Sequence, residues 1–259
     1  HPQVVLNKKD KPKINILTSI EERQHRFETI GVENTFVMPF TVEFSRTSPE
    51  DFVRKYLWEK IGMKRILIGY DHLFGKNREG NENLLSNIGR ELGFSIEKVP
   101  PYVEDNEIIS SSKIRKAVLN RDLETANRML DYYYFLCGKV VRGDSRGKKL
   151  GFPTANIKSS EPNKLMPANG VYFVYSVIHG KTVFGMANIG RRPTFTNDED
   201  STLEVNYFHF DKDIYEENIC VHFIKYIRPE KKFDGLQSFL ARLEEDKKIC
   251  HREIECFHF

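Results

Sequence analysis

The sequence predicts two folded parts of different class: an α/β region first, then an all-β region closed by one helix. Two observations predict this. Up to about residue 130, helix and strand signals alternate, which implies parallel strands with helices on their faces. From Asp131 to about Ile227 nearly every signal is strand, and several short strands with close turns point to a sandwich or barrel. A chain of 259 residues is long enough for two ordinary domains.

Each element has a local cause. Thr18 to Glu21 fits a capping box, with a helix following through Ile30. Thr35-Phe36-Val37-Met38 reads as a short buried strand. Ser48-Pro49-Glu50-Asp51 combines a capping serine, proline at the first helical position and acids in the first turn, so a helix starts there. Phe52, Val53, Tyr56 and Leu57 form its apolar face. Arg65–Gly69 is a strand, Asn83–Leu92 a helix and Phe94–Val99 a strand. Ser110-Ser111-Ser112 leads into a helix through Leu119, and Asp122 caps another through Leu130. In the second part, Phe135–Arg142, Gly170–Ile178, Lys181–Ile189, Thr202–Phe210 and Ile219–Ile227 are rich in Val, Ile, Phe and Tyr. Only His179-Gly180 separates two of them, a two-residue hairpin signal. Leu236, Phe239, Leu240 and Leu243 repeat at helical spacing and close the chain.

Composition narrows the function classes. With 39% hydrophobic and 30% charged residues, a sizeable core is expected rather than disorder. A net charge of +3 with mixed signs argues against nucleic acid or membrane partners. No apolar run approaches the ~18 residues of a membrane span, and no secretory signal opens the chain. Cys137, Cys220, Cys250 and Cys256 match neither a disulfide framework nor a zinc spacing, so reduced thiols in the cytoplasm are expected.

Three segments of the second part carry chemistry. Gly143 to Lys149 mixes glycines with Arg146, Lys148 and Lys149, which suits phosphate oxygens, although a solvated hairpin loop reads equally well. In Gly151-Phe152-Pro153-Thr154-Ala155-Asn156, Thr154 and Asn156 share one face of an extended segment. A hydroxyl and an amide carbonyl are hard oxygen ligands suited to Mg²⁺; a proline–threonine turn with a local Asn hydrogen bond is the other reading. Glu204 alternates with Leu203 and Val205, and its carboxylate could accept a proton from an attacking hydroxyl or simply face solvent.

Seven blocks occur in order: residues 138–144, 151–156, 170–172, 188–194, 203–205, 210–215 and 227–234. Together they resemble the riboflavin kinase family over about 136–254. The resemblance implies a six-stranded antiparallel Greek-key barrel with a C-terminal helix. It implies ATP bound by Gly143, Arg146, Gly147, Lys148, Gly151, Pro153, Thr154 and Asn156, with Mg²⁺ held by Thr154 and Asn156. It implies Glu204 as the catalytic carboxylate toward the 5′-hydroxyl of riboflavin, and a flavin-side wall with Asn188, Arg228 and Phe233. Phosphoryl transfer is mostly positioning and charge stabilisation, which so small a site can supply.

In the first part, Gly69-Tyr70-Asp71-His72-Leu73-Phe74-Gly75-Lys76 follows a predicted strand. Ile109-Ser110-Ser111-Ser112-Lys113-Ile114-Arg115 opens a predicted helix, as a phosphate site or as plain capping. Both resemble the adenylyltransferase module of bacterial bifunctional FAD synthetases, with His72 in place of a phenylalanine and Ser112 in place of a threonine. The resemblance implies a Rossmann-like nucleotidyltransferase module that uses Asp71, Phe74, Gly75, Ser110, Ser111, Ser112 and Arg115 to turn FMN and ATP into FAD. That family's Gly-x-Phe-Asp-Gly-x-His-x-Gly-His loop precedes a His-Pro pair like His1-Pro2 and is not found here. Residues are therefore expected upstream, and poor FAD formation is expected from this chain alone. The domains are expected at 1–131 and 132–259, with a homo-oligomer open to them.

Two other functions compete: a non-catalytic flavin sensor or carrier, and a nucleic-acid-binding barrel. The set Thr154, Asn156 and Glu204 argues against the first, since a pure binder needs neither metal ligands nor a base. The near-neutral charge argues against the second.

Overall fold

A computed structural model describes residues 2–6, 15–143, 152–191, 201–231 and 233–257. In chain order the elements are α1 (Pro2–Val5), α2 (Ile20–Thr29), α3 (Pro49–Asp51, continuing as a π-helix over Phe52–Lys60), β1 (Arg65–Gly69), α4 (Glu82–Leu92), β2 (Ser95–Val99), β3 (Val103–Glu104), β4 (Glu107–Ile108), α5 (Ser111–Leu119), α6 (Leu123–Leu130), β5 (Phe135–Val141), β6 (Ala155–Ser159), β7 (Gly170–Ile178), β8 (Lys181–Arg191), β9 (Ser201–Tyr207), β10 (Asn218–Arg228) and α7 (Leu236–Glu255). They fall into two compact units, one of His1–Ile14 with Val32–Ile109, the other of Asn15–Gly31 with Ser110–Phe259.

In the first unit β1 and β2 pair in parallel from Arg65↔Ser95 to Gly69↔Val99, joined through α4. This is the βαβ crossover that parallel pairing requires. Val53, Ile68, Leu85, Ile88 and Phe94 form its core. Ser48 caps α3 as expected, its side chain accepting the Asp51 N–H, with Pro49 in the first turn. Asn81 caps α4, and Gly93 ends it at φ +80°, where a side chain would be strained. One expectation fails. Residues 35–38 form no strand, and Phe36 is 76% exposed. Their apolar character reads as a strand, but a strand needs a paired neighbour, and no described residue pairs with them.

The second unit is a closed antiparallel barrel in the order β10-β5-β6-β9-β8-β7. The hairpin-connected strands β7, β8 and β9 lie side by side, and β10 returns beside β7. That is Greek-key order. Leu136, Val140, Tyr172, Val174, Leu203 and Val205 are at most 1% exposed and fill the interior, while their neighbours along each strand point outward. His179 and Gly180 take φ of +50° and +74° at the β7–β8 turn, as a type I′ hairpin demands.

Buried polar groups tie the helices to this barrel. Ser19, one residue later than the sequence pattern placed it, forms the capping box of α2 with Glu22. The same Glu22 accepts the Cys137 N–H at 3.0 Å and pairs with Lys164 at 2.7 Å, both side chains being nearly inaccessible. Burial holds the Lys164 pKa below the usual lysine value. The Asn127 amide on α6 donates to the carbonyls of Phe223 and Ile224 at the irregularity in β10. On the outer face, Phe173, Met186 and Phe208 pack against Cys250, with Leu243 and Ile254 of α7 alongside.

Cys137 and Cys220 face each other across β5 and β10 and form a disulfide. This corrects the expectation of reduced thiols for that pair. Their sequence separation of 83 hides a cross-strand neighbourhood. Because the Cys137 N–H goes to Glu22, this pair is one of the closely approaching, non-hydrogen-bonded kind.

His222 on β10 stacks on Tyr175 at 4.5 Å between ring centres, and burial pushes its pKa down to about 4. A histidine depressed in the folded state takes its proton first in the unfolded chain. Stability is therefore complete above pH 6.5 and falls as pH drops toward 4, by ~3 kcal/mol for this group. Urea unfolding across that range should show the loss in the wild type and a smaller loss in His222→Gln. Equal slopes in the two proteins would remove His222 as the cause.

Candidate functional site

Strand register puts the polar residues of the barrel in one row. Asn156 on β6 faces Glu204 on β9, and Glu204 faces Asn188 on β8. Each is flanked along its strand by residues that point inward: Ala155 and Ile157, Leu203 and Val205, Ala187 and Ile189, all at most 9% exposed. Alternation then forces Asn156, Glu204 and Asn188 to the outer face, where all three are half-buried. Neighbouring strands lie ~4.8 Å apart, so the row spans about 10 Å. Thr154 sits two residues before Asn156, just ahead of β6, and is also half-buried.

Gly143 borders the row. A methyl group there would collide with the Asn156 side-chain amide where it stands, so glycine leaves room for that amide beside the backbone. The Pro153 carbonyl accepts the Asn206 Nδ2–H at 2.7 Å, which ties the segment before β6 to β9. Asn206 lies 53 residues from Pro153 in sequence and is drawn to it only by the β6–β9 pairing. Arg146, Gly147, Lys148 and Gly151 lie outside the described residues.

On the other side of the row, Val171 of β7 faces Asn188, and Arg228 of β10 faces Val171. The Arg228 guanidinium reaches both oxygens of Asp246 on α7, at 2.7–3.0 Å, and lies 5.8 Å from the Phe233 ring centre. Arg242 adds a contact to Asp246 at 3.2 Å. Phe233 in turn meets Phe239 edge-on at 5.4 Å. Arg228 is thus fixed beside the row by the middle of α7, and Phe233 by its first turn. Sequence reasoning missed Asp246, which sits in the charge-rich stretch Glu244-Glu245-Asp246-Lys247-Lys248 with nothing local to single it out.

In the first unit Asp71, Phe74 and Gly75 occupy the turn after β1. Phe74 and Gly80 exchange backbone hydrogen bonds of 3.1 and 2.9 Å. Gly75 has φ +71°, and a methyl there would come within 2.7 Å of the Pro49 Cα, so both conformation and space require glycine. The serines and Arg115 belong to the second unit. Ser110 caps α5, accepting the Lys113 N–H at 3.4 Å; Ser111 and Ser112 are exposed in the first turn. Arg115 Nε donates to the Asn15 carbonyl at 2.7 Å.

A hydroxyl, two amides and a carboxylate in line, with a glycine backbone at one end and an aromatic–guanidinium wall at the other, suit a phosphate-bearing and a hydroxyl-bearing ligand together. No group of three or more His, Cys, Asp or Glu suited to a transition metal occurs among the described residues. No helix among them is long and apolar enough to cross a membrane.

Residues 130–254 match the family described as riboflavin kinase, and residues 1–113 the family described as FAD synthetase. A protein of Listeria monocytogenes named bifunctional riboflavin kinase/FMN adenylyltransferase is 37% identical over 248 residues, covering 96% of this chain and 78% of its own length. A Bacillus subtilis protein of the same name is 34% identical over 251 residues, with coverage of 96% and 78%. A crystal structure titled macrolide-efflux protein, from Streptococcus pneumoniae, superposes with a TM-score of 0.83 at 28% identity, covering 97% of this chain and 80% of that one.

Asp246 is wholly inaccessible, and the Arg228 side chain is 11% exposed. Removing one member of a buried pair strands the other charge, typically at a cost of about 3–5 kcal/mol. Asp246→Ala should lower the urea midpoint accordingly. A midpoint within error of wild type would mean that Arg228 finds water or another partner.

Proposed function

The chain belongs to the bifunctional riboflavin kinase/FMN adenylyltransferase family, and from that premise we propose that its barrel transfers the γ-phosphoryl group of ATP to the 5′-hydroxyl of riboflavin, giving FMN and ADP. The observation that carries this is the alignment of Asn156, Glu204 and Asn188 across three adjacent strands beside Gly143. In this reading the kinase module is 132–259, and 1–131 is the nucleotidyltransferase-like module that serves the adenylation of FMN to FAD. The substrates are small molecules: riboflavin, FMN and ATP. We place the enzyme in the cytoplasm, without nucleic acid or membrane partners.

Glu204 orients the ribityl 5′-hydroxyl and takes its proton as the oxygen attacks the γ-phosphorus and ADP leaves. Its central place in the row lets it reach a hydroxyl while Asn156 faces the phosphates. Thr154 and Asn156 offer a hydroxyl and an amide oxygen on one face, a donor set that fits Mg²⁺, which keeps waters and phosphate oxygens in its shell. When bound, the ion neutralises charge on the phosphates. Gly143, Arg146, Gly147, Lys148, Gly151 and Pro153 make the rest of the ATP cradle. Asn188, Arg228 and Phe233 face the flavin. Arg228 is already held by Asp246, so it serves as a rigid wall more than as a free charge. Asp71, Phe74, Gly75, Ser110, Ser111, Ser112 and Arg115 serve the adenylyl transfer.

Two sets of variants test the reading. Glu204→Gln should lower turnover of riboflavin to FMN about 10²–10⁴-fold, with ATP binding retained; a near-wild-type rate would take Glu204 out of the mechanism. Thr154→Ala and Asn156→Ala should raise the Mg²⁺ and ATP requirement more than that for riboflavin. An unchanged Mg²⁺ dependence in both would sink the metal assignment.

A further inference from the structure

We propose that Glu230 is a second carboxylate of the kinase site, one that binds the secondary hydroxyls of the substrate's polyol chain and so sets specificity for a polyhydroxylated side chain. The inference rests on the kinase reading of the barrel. Its basis is the surface around Gly190. Gly190 follows Asn188 by two residues on β8 and therefore shares its outward face. A methyl group at Gly190 would come within 2.6 Å of Glu230 Oε1 and 3.3 Å of Asn188 Nδ2. The Glu230 carboxylate and the Asn188 amide thus converge on the space that the glycine leaves open.

Chain geometry holds Glu230 there. Arg228 Nη1 donates to the Pro229 carbonyl at 2.9 Å while the rest of its guanidinium grips the buried Asp246. The two residues after β10 are therefore fixed relative to both barrel and α7. Glu230 itself is exposed, and no described residue pairs with its carboxylate. Toward the described residues its carboxylate is thus open to accept hydrogen bonds from an incoming ligand.

Position decides which ligand. The row runs from Gly143 and Asn156 through Glu204 to Asn188, and Glu230 lies beyond Asn188. A carboxylate repels phosphate oxygens, so its neighbourhood is the acceptor end of the site. Two carboxylates on either side of an amide offer acceptors for a run of hydroxyls: Glu204 for the reacting primary one, Glu230 and Asn188 for secondary ones. A flat flavin ring has no row of hydroxyl donors to match this; a polyol chain does.

The test is steady-state kinetics of the whole chain with Mg·ATP and two flavins. One is riboflavin. The other keeps the terminal hydroxyl but has methylene carbons where riboflavin carries secondary hydroxyls. Glu230→Gln should raise KM for riboflavin about tenfold, the loss expected for a hydrogen bond to a charged group. Because that contact exists before and during transfer, kcat should stay within about twofold. The preference for riboflavin over the analogue should shrink by a similar factor, a change that a merely structural role would not produce. An unchanged riboflavin KM, an unchanged preference, or an equal rise in KM for Mg·ATP overturns the assignment while the wild type still makes FMN. A wild-type chain that makes no FMN overturns the kinase reading and this assignment with it.

Discussion

The register of the closed barrel is the constraint on which the candidate site depends. Asn156, Glu204 and Asn188 are 48 and 16 residues apart in sequence, by their numbers, and meet only because β6, β9 and β8 pair in one register. Side chains alternate along a strand, so a slip of one residue would bury these polar groups and expose Leu203 and Val205. The largely apolar interior, whose buried Ser176 and Tyr207 hydroxyls satisfy each other at 2.7 Å, prevents that slip. Core packing and site geometry are therefore one specification: the interior residues fix the register, and the register fixes the row.

The surroundings of the row are held by buried charge. Asp246 joins α7 to the end of β10 through Arg228, and that pairing fixes Phe233 and the turn that carries Glu230. At a second anchor, Glu22 serves α2, β5 and Lys164 at once. Such groups are costly to desolvate, and a hydrophobic replacement often matches them in stability. What they supply here is placement, since a fork of hydrogen bonds sets distance and angle where apolar contact sets only proximity.

Much of this was legible in the sequence because the signals are local. Pro49 after Ser48, Gly93 after α4 and His179-Gly180 between β7 and β8 each dictate a backbone shape within a few residues. Five of the six barrel strands follow their runs of β-branched and aromatic residues to within three residues at either end, whereas β6, Ala-Asn-Ile-Lys-Ser, is short and mostly polar and gave no such run. The capping box of α2 fell one residue off because Thr18 with Glu21 and Ser19 with Glu22 both fit the pattern, and what sets Glu22 apart is its non-local pairing with Cys137 and Lys164. What the sequence hid was non-local. Residues 35–38 have strand composition without a partner strand. Cys137 and Cys220 are neighbours only through β5–β10 pairing, and Asp246 matters only because Arg228 arrives from another element. For the site, Thr154, Asn156 and Glu204 stood out only through the family resemblance of the blocks that carry them, since their types and spacing read equally as a turn and a solvent-facing strand; their order across the strands was not legible at all.

The role proposed for this row is phosphoryl transfer to riboflavin rather than the mere holding of a flavin. The most direct measurement is one incubation of the wild-type chain with riboflavin, ATP and Mg²⁺, with flavins and nucleotides separated by chromatography over time. FMN together with any FAD made from it should rise in step with ADP, with none of them formed when ATP is omitted. Riboflavin that binds to the chain and is recovered unchanged while ATP stays intact would contradict it.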